Sequence, residues 1–289
     1  MRIVVTGATG FVGRALCPAL AARGHDAVAL ERGATGDLSV FSDWPRVLTG
    51  AHAVVHLAAI AHVRGVDEQR VRAVNVDVPL ALGRAAARAG ARLLFMSSVK
   101  VHGEETTGRA FDESSPVAPQ DAYGRAKADA ETGLRAIPGL KLTVIRPPLV
   151  YGPGVKANFF GLMRAIARGW PLPFAGIDNR RSLIYSGNLA DAVARCVEMP
   201  AAIGRTYLVS DGAAVSTPAL CRALGDALGA PARLFPFPAA ALELVAPMRK
   251  LTRSLDVDAS AIRRELGWMP PHSIAEGLRV TAKWYRASR

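Results

Sequence analysis

The chain has 289 residues, of which 50% are hydrophobic and 21% charged, so it can bury a full core and is not an intrinsically disordered protein. Its formal net charge of +12 favours an anionic ligand such as a diphosphate. Nucleic acid is not the expected partner, because the sequence has no block of Lys and Arg and no basic run interleaved with aromatic residues.

The first residues lead directly into an apolar run, so we expect no signal peptide. No uninterrupted apolar stretch reaches the ~20 residues that a membrane span needs. Cys17, Cys196 and Cys221 are widely spaced, which is typical of small buried residues in a reducing compartment. We therefore expect a cytoplasmic protein with no membrane span.

In the first half of the chain, short apolar runs alternate with longer helical patterns. Strands are predicted over 3–5, 26–30, 53–57, 92–96 and 142–145. The helices between them include 11–23, which stops at Gly24, and 68–88, which is closed by Gly90. Apolar strands separated by helices predict a parallel sheet covered on both faces, so the fold class is doubly wound α/β, of the Rossmann type.

After residue 150 the chain becomes rich in Pro and Gly, with helices predicted over 159–168, 189–197, 218–228 and 274–285. Strands are predicted over 182–185 and 206–209. This pattern predicts a dinucleotide-binding domain over 1–150 and a smaller mixed α/β lobe over 151–289, with segments that can interleave. The apolar run 236–248, which contains Glu243, is expected to be a helix packed on the domain, with a surface-binding helix as the alternative.

A glycine-rich turn lies between the first strand and the first helix. Gly7 permits a tight turn, Gly10 permits close approach of a ligand, and Gly13 permits close packing of helix on strand. Phe11 and Val12 complete the turn at the helix N-terminus, where N–H groups and a partial positive charge favour a pyrophosphate. The turn therefore predicts a dinucleotide cofactor.

The second strand ends at Glu31, where an acidic residue binds the ribose hydroxyls of NAD and repels the 2′-phosphate of NADP. Arg32 beside it leaves NADP open, because a guanidinium can bind that phosphate. Asp37 and Leu38 follow where a loop can contact the adenine. We expect NAD, with NADP as the alternative.

Tyr123 and Lys127 are four residues apart and share one helix face. A neighbouring ammonium lowers the pKa of a phenol, so Tyr123 is expected to exchange a proton with a carbinol or carbonyl oxygen near neutral pH. Ser98, just past a predicted strand end, can hydrogen-bond the same oxygen. These three residues are the predicted catalytic set.

At these motifs the sequence resembles the extended short-chain dehydrogenase/reductases, the NAD-dependent epimerase/dehydratase family. The resemblance covers nearly the whole chain and implies that Ser98, Tyr123 and Lys127 are the catalytic triad. Lys127 would also hold the nicotinamide ribose. It further implies that Leu57, Ala58, Ala59 and Asn75 surround the cofactor, with Asn75 stabilising the adjacent strand and helix. The matching segments are 5–13, 56–59, 146–147 and 150–154, together with Asn75, Ser98, Tyr123 and Lys127.

The residues after Ser98 bear on the reaction. Dehydratases of the family carry an Asp-Glu pair there, whereas this chain has Val99 and Lys100, so elimination is not expected. Reduction of a 4-keto sugar and epimerisation at C4 need the same triad, and the spacing does not separate them. The resemblance to a surface-polysaccharide subgroup favours a reductase of a UDP-linked 4-keto sugar, with a UDP-glucose or UDP-N-acetylglucosamine 4-epimerase as the alternative.

The resemblance also implies a UDP-sugar site. Asn158, at the start of a helix, would bind the diphosphate or nucleotide, and Arg181 would bind the diphosphate, with Arg180 as its alternative. For a second diphosphate arginine, Arg253 and Arg249 both remain open.

His56 is expected to pack at a strand end beside the cofactor and His62 at the rim, without a metal, because no ligand spacing supports one. Family analogy implies a homodimer formed through two long helices, 68–88 and 119–134. The rival interpretation is a non-catalytic dinucleotide-binding regulator, which retention of the triad disfavours.

Overall fold

Apolar runs form the strands of two parallel sheets in the computed structural model, which describes residues 1–61 and 65–288. The strands are β1 (Arg2–Thr6), β2 (Asp26–Leu30), β3 (Ala53–His56), β4 (Arg92–Met96), β5 (Lys141–Arg146), β6 (Leu149–Tyr151), β7 (Leu183–Tyr185) and β8 (Thr206–Leu208). Six of them form the central sheet in the order β2-β1-β3-β4-β5-β8, and β6 pairs with β7 in a small second sheet.

Helices cover both faces of the central sheet, which confirms the predicted doubly wound α/β fold. The helices are α1 (Gly13–Ala22), α2 (Arg32–Thr35), α3 (Trp44–Val47), α4 (Glu68–Arg72), α5 (Val78–Arg88), α6 (Ala122–Arg135), α7 (Ala157–Ala167), α8 (Ser186–Glu198), α9 (Thr217–Leu228), α10 (Ala239–Glu243), α11 (Ala246–Thr252), α12 (Ser260–Leu266) and α13 (Ile274–Ala287). Alternate residues of β1 point to opposite faces of the sheet: Ile3 and Val5 pack with α1 and α8, and Val4 packs with α5 and α6.

Residues beyond 150 contribute to two cores. Helix α8 packs on α1 over the central sheet, and β8 extends that sheet beside β5. A second core forms among α7, α9 and α13, with Tyr151 and Leu183 from the small sheet. The chain therefore passes between these two cores more than once.

Two predicted helices differ in the structure. The segment 236–248 forms two short helices, α10 and α11, rather than one. The stretch 68–88 is helical throughout but contains a π-helical turn over Ala73–Asp77, which joins α4 to α5. Within the described ranges, no helix is both long enough and apolar enough to cross a bilayer.

Candidate active site

The glycine turn between β1 and α1 is closely packed on its inner side. Gly7 has φ +71°, and a Cβ added there would lie 2.8 Å from the main-chain nitrogen of Ala58. A Cβ on Gly13 would lie 2.4 Å from the carbonyl oxygens of Gly7 and Ala8. Gly10 is exposed, and a Cβ added there would lie 3.0 Å from the Gly7 oxygen, so the absence of a side chain keeps this side of the turn open to a ligand.

The N-terminus of α1 has unpaired hydrogen-bond donors. Among the described residues, no acceptor is bonded to the main-chain N–H groups of Phe11, Val12 and Gly13. The first N–H groups of a helix have no intrahelical partner and carry partial positive charge. These donors, beside the open side of Gly10, fit the diphosphate of a dinucleotide.

The end of β2 presents both residues that bear on the choice between NAD and NADP. Glu31 and Arg32 are exposed, and neither side chain has a partner among the described residues. Asp37 instead pairs with Arg70 and accepts a hydrogen bond from the Ser39 nitrogen at 3.0 Å. The Ser39 and Arg70 contacts lower the pKa of Asp37 to about 2, so its carboxylate stabilises this loop.

Asn75 lies in the π-helical turn between α4 and α5. Its buried side chain donates to the carbonyl oxygen of Ile60 at 3.0 Å and accepts from the Ile60 nitrogen at 2.8 Å. These two bonds hold the main chain directly after Ala58 and Ala59, which are half-buried beyond the end of β3 together with Leu57. The Asn75 side chain thus fixes the loop after β3 by bonding the main chain of that loop.

His56 ends β3 and is fully buried. Its Nδ1 lies 2.7 Å from the Thr6 hydroxyl, and its Nε2 has no partner among the described residues. Burial and the nearby Lys127 ammonium lower the pKa of His56 to about 3, so the ring is neutral. The pair joins the ends of β1 and β3 beneath the glycine turn. His62 lies outside the described residues.

Tyr123 and Lys127 lie one turn apart on α6, with the Lys127 Nζ 5.7 Å from the Tyr123 ring centroid. The Nζ donates to the Met96 carbonyl oxygen at 2.8 Å and lies 4.6 Å from the Phe95 ring centroid. Burial lowers the pKa of Lys127 to about 7. The lysine therefore changes its charge near neutral pH.

The structure does not show the expected acidification of Tyr123. Burial raises the pKa of the phenol, and the negative charge of Asp121 raises it further. The expectation was wrong because it considered only the helical neighbour Lys127, whose own pKa is depressed to about 7. In this state Tyr123 is a protonated phenol.

The turn after β4 is tied to the start of α6. Ser98 Oγ accepts a hydrogen bond from the Lys100 nitrogen at 3.2 Å. The Lys100 ammonium pairs with Asp121 and with Glu104, the latter at 2.8 Å. Asp121 caps α6 by accepting from the Gly124 nitrogen at 2.7 Å. The sequence-predicted Ser98 and Tyr123 are thus held on segments that Lys100 joins directly.

A buried ion pair fixes the next turn of α6 to the sheet. Glu131 accepts from Arg146 Nη2 at 2.5 Å and from Nε at 3.0 Å, and also from the Ser97 hydroxyl at 2.5 Å. Arg146 Nη1 donates to the Nε2 of His102 at 2.9 Å. Burial lowers the pKa of His102, which favours its neutral form as an acceptor. This network sets the position of Lys127, one turn before Glu131.

Arg181 is a partly buried cation with little compensation. Its Nη1 donates to the Arg253 carbonyl oxygen at 3.3 Å, and no carboxylate lies within ion-pair distance among the described residues. Burial lowers the pKa of Arg181 to about 10, and the charge of Glu104 opposes this shift. A cation in this state favours binding of an anion.

The alternatives to Arg181 are engaged elsewhere. Arg180 is exposed and pairs with Asp256 at 2.8 Å. Arg253 pairs with Glu105 and with Glu243, the latter at 2.9 Å, whereas Arg249 has no ion pair among the residues described. Of these arginines, Arg181 is partly buried and has no close carboxylate among the described residues, whereas Arg180 and Arg249 are exposed.

Asn158 lies in the first turn of α7 and is exposed. No described contact joins it to Arg181 or to Tyr123. The turn before it approaches the cofactor loop, since a Cβ on Gly154 would lie 3.7 Å from the Phe11 ring. The structure thus places the turn before Asn158 next to the glycine turn.

Glu131, Arg146 and the Lys100–Asp121 pair were not predicted from the sequence as parts of one site. The one available signal was spacing, because Glu131 follows Lys127 by four residues and so shares its helix face. The partners on β5 and in the turn after β4 are distant along the chain, and local patterns do not reveal such contacts.

Comparisons with known proteins confirm the resemblance. A family model described as NAD dependent epimerase/dehydratase family matches residues 3–210. A UDP-glucose 4-epimerase of Vibrio cholerae is 38% identical, covering 97% of this chain and 94% of that protein. A dTDP-4-dehydrorhamnose reductase of Mycobacterium tuberculosis is 31% identical, covering 85% and 82% respectively.

Solved structures agree with these sequence matches. The Thermus thermophilus UDP-glucose 4-epimerase in complex with NAD superposes with a TM-score of 0.80 at 25% identity, covering 100% of both chains. This likeness and the family model, whose description includes NAD, agree with the expected fold and dinucleotide cofactor. The chain belongs to the NAD dependent epimerase/dehydratase family.

Proposed function

We propose that this protein transfers a hydride at C4 of a UDP-linked hexose, with Ser98, Tyr123 and Lys127 around the reacting carbon. The observation that carries the proposal is the position of Lys127 against the Tyr123 ring on one face of α6, next to the turn that holds Ser98. NAD held by the glycine turn would supply the hydride carrier.

Tyr123 is suited to proton transfer at the C4 oxygen. Its raised pKa keeps the phenol protonated, so it can donate to a carbonyl oxygen. Removal of a proton from a C4 hydroxyl requires a more acidic phenol. Lys127 provides this when it takes up a proton, because a nearby cation stabilises the phenolate. Its pKa of about 7 allows that change near neutral pH.

The diphosphate of the substrate fits Arg181. The guanidinium is partly buried, lacks a close carboxylate among the described residues, and would gain a charge-assisted contact with a phosphate. Glu104 connects this region to the catalytic turn, because it pairs with Lys100 and its charge acts on Arg181. We propose Asn158 as a second contact to the nucleotide end of the substrate.

Dehydration does not fit the same geometry. Elimination would need an acid and a base after Ser98, where the chain has Val99 and Lys100. The hydrogen bonds to Asp121 and Glu104 outweigh burial and raise the pKa of Lys100, so this residue stays cationic and cannot act as a base. The site therefore supports chemistry that begins and ends at C4.

Epimerisation and reduction at C4 both use this site. The near-full-length match to a UDP-glucose 4-epimerase supports epimerisation. The match to a dTDP-4-dehydrorhamnose reductase supports reduction, which the resemblance to a surface-polysaccharide subgroup also favours. An epimerase returns its hydride to the same sugar and keeps its NAD, whereas a reductase consumes a reduced cofactor with each turnover.

Two assays on the purified protein separate these activities. In the first, UDP-glucose or UDP-N-acetylglucosamine is supplied without added cofactor, and 4-epimer formation is followed by chromatography. In the second, a UDP-4-keto-6-deoxy-hexosamine is supplied with NADH or NADPH, and loss of reduced-cofactor absorbance is followed. Turnover in the first supports an epimerase, and in the second a reductase. No turnover in either assay, with NAD bound, would favour a dinucleotide-binding regulator.

A further inference from the structure

An apolar segment lies on the surface between the second core and α11. Residues 235–245 are apolar except for Glu243, and nine of the eleven are exposed. Leu244 is 87% exposed and Val245 52%, while Phe235 and Phe237 are 41% and 44% exposed. On globular proteins in aqueous solution, large contiguous patches of exposed apolar residues mark interaction surfaces.

The apolar segment is anchored from beneath. Leu242 is buried in the second core, and the Phe235 main chain bonds with that of Leu172 and Ala175. Glu243, the one acid in the segment, pairs with Arg253 at 2.9 Å. The anchoring places the apolar side chains outward and leaves the segment with little negative charge.

Basic residues surround the apolar segment. Of the four Arg or Lys in residues 230–255, Arg253 pairs with Glu243 and Glu105 and Lys250 pairs with Glu104, whereas Arg233 and Arg249 have no ion pair among the described residues. Arg233 and Arg249 are exposed, as is Arg168, which lies 5.5 Å from the ring of exposed Trp170. The Arg233 guanidinium reaches Gly169, next to that tryptophan. Apolar and aromatic side chains with a basic rim are typical of surfaces that bind the headgroup region of anionic membranes.

We propose that this apolar segment and its basic rim bind an anionic lipid bilayer at its surface. Charge complementarity favours this occupant over a second copy of the chain. A symmetric dimer through the segment would place one basic rim against another, in a chain of net charge +12. An anionic bilayer accepts the apolar side chains and attracts the rim.

The test is co-sedimentation of the full chain with vesicles of phosphatidylcholine alone and with added phosphatidylglycerol. Binding should require the anionic lipid and weaken in high salt. Leu244→Ser with Val245→Ser should lower the partition constant at least about tenfold. Arg249→Gln should lower it about fivefold. The matched control is Met269→Ser with Val280→Ser, which removes exposed apolar side chains elsewhere and should leave binding unchanged.

Turnover of the soluble sugar nucleotide and circular dichroism check that the variants fold, and neither should change. Equal binding by Leu244→Ser/Val245→Ser and the control would overturn the proposal. So would binding that does not depend on phosphatidylglycerol. A wild-type dimer that this double variant converts to a monomer, with no vesicle binding, would instead assign the segment to a second copy. None of these outcomes bears on the chemistry at Tyr123.

Discussion

Replacing Glu131 with Gln tests the buried network beneath the catalytic helix. Glutamine keeps the shape of the side chain but leaves the Arg146 cation without its carboxylate, in a site where both residues are nearly inaccessible. Removing one partner of a buried ion pair costs about 3–5 kcal/mol, and we expect the lower end because the amide oxygen can still accept from Ser97. For a chain of this size that loss lowers the melting temperature by on the order of 10 °C.

Thermal unfolding followed by circular dichroism measures this effect directly. The matched control is Asp129→Asn on the same helix, whose exposed carboxylate lies 4.0 Å from Arg72. An exposed pair contributes about 0–1 kcal/mol, so the control should melt close to wild type. A Glu131→Gln protein that melts with the control would refute a stabilising role for the buried pair.

Three further substitutions test other parts of the site. Burial lowers the pKa of Lys127 from 10.5 to about 7, so between these pH values the unfolded chain binds more protons than the folded protein. The free energy of unfolding, measured with urea, should therefore rise from pH 7 to 9, and Lys127→Met should remove that rise. Gly13→Ala should abolish NAD binding measured by calorimetry, whereas Gly33→Ala, with no atom within 4 Å of its Cβ, should not. Arg181→Gln should weaken binding of UDP alone about tenfold or more, and exposed Arg180→Gln should have little effect; equal effects would contradict the assignment.

The sequence predicts the central sheet well because each of its first five strands is a local apolar run. The unbroken apolar run at 93–96, for example, lies within β4. The pairing of β8 with β5 is different in kind, since residues 206–208 read as an ordinary short strand and nothing local shows that they return to the first sheet. Long-range pairing depends on the whole chain.

Helix boundaries were less predictable where polar contacts or short breaks decide them. Asn75 fits an amphipathic helix pattern, so the sequence does not reveal that its amide bonds Ile60 within a π-helical turn. Periodicity likewise does not distinguish one helix over 236–248 from α10 and α11, which are separated by exposed Leu244 and Val245.

In the candidate site, too, the local features are predictable from the sequence and the tertiary ones are not. The spacing of Tyr123 and Lys127 places both on one face of α6, as predicted. The protonation of the phenol could not be predicted from spacing, because it depends on burial and on the capping carboxylate of Asp121. Electrostatics at a buried site is a tertiary property, whereas helix register is a local one.

The central claim is that the Tyr123 phenol exchanges the proton at C4. The most direct test is turnover by Tyr123→Phe on whichever UDP-sugar the wild type converts, beside the control Tyr185→Phe in the second lobe. We predict a fall of about 10²–10⁴-fold in kcat for Tyr123→Phe, with UDP binding and NAD content unchanged and the control fully active. An unchanged rate in Tyr123→Phe would show that the Tyr123 phenol does not exchange the proton at C4.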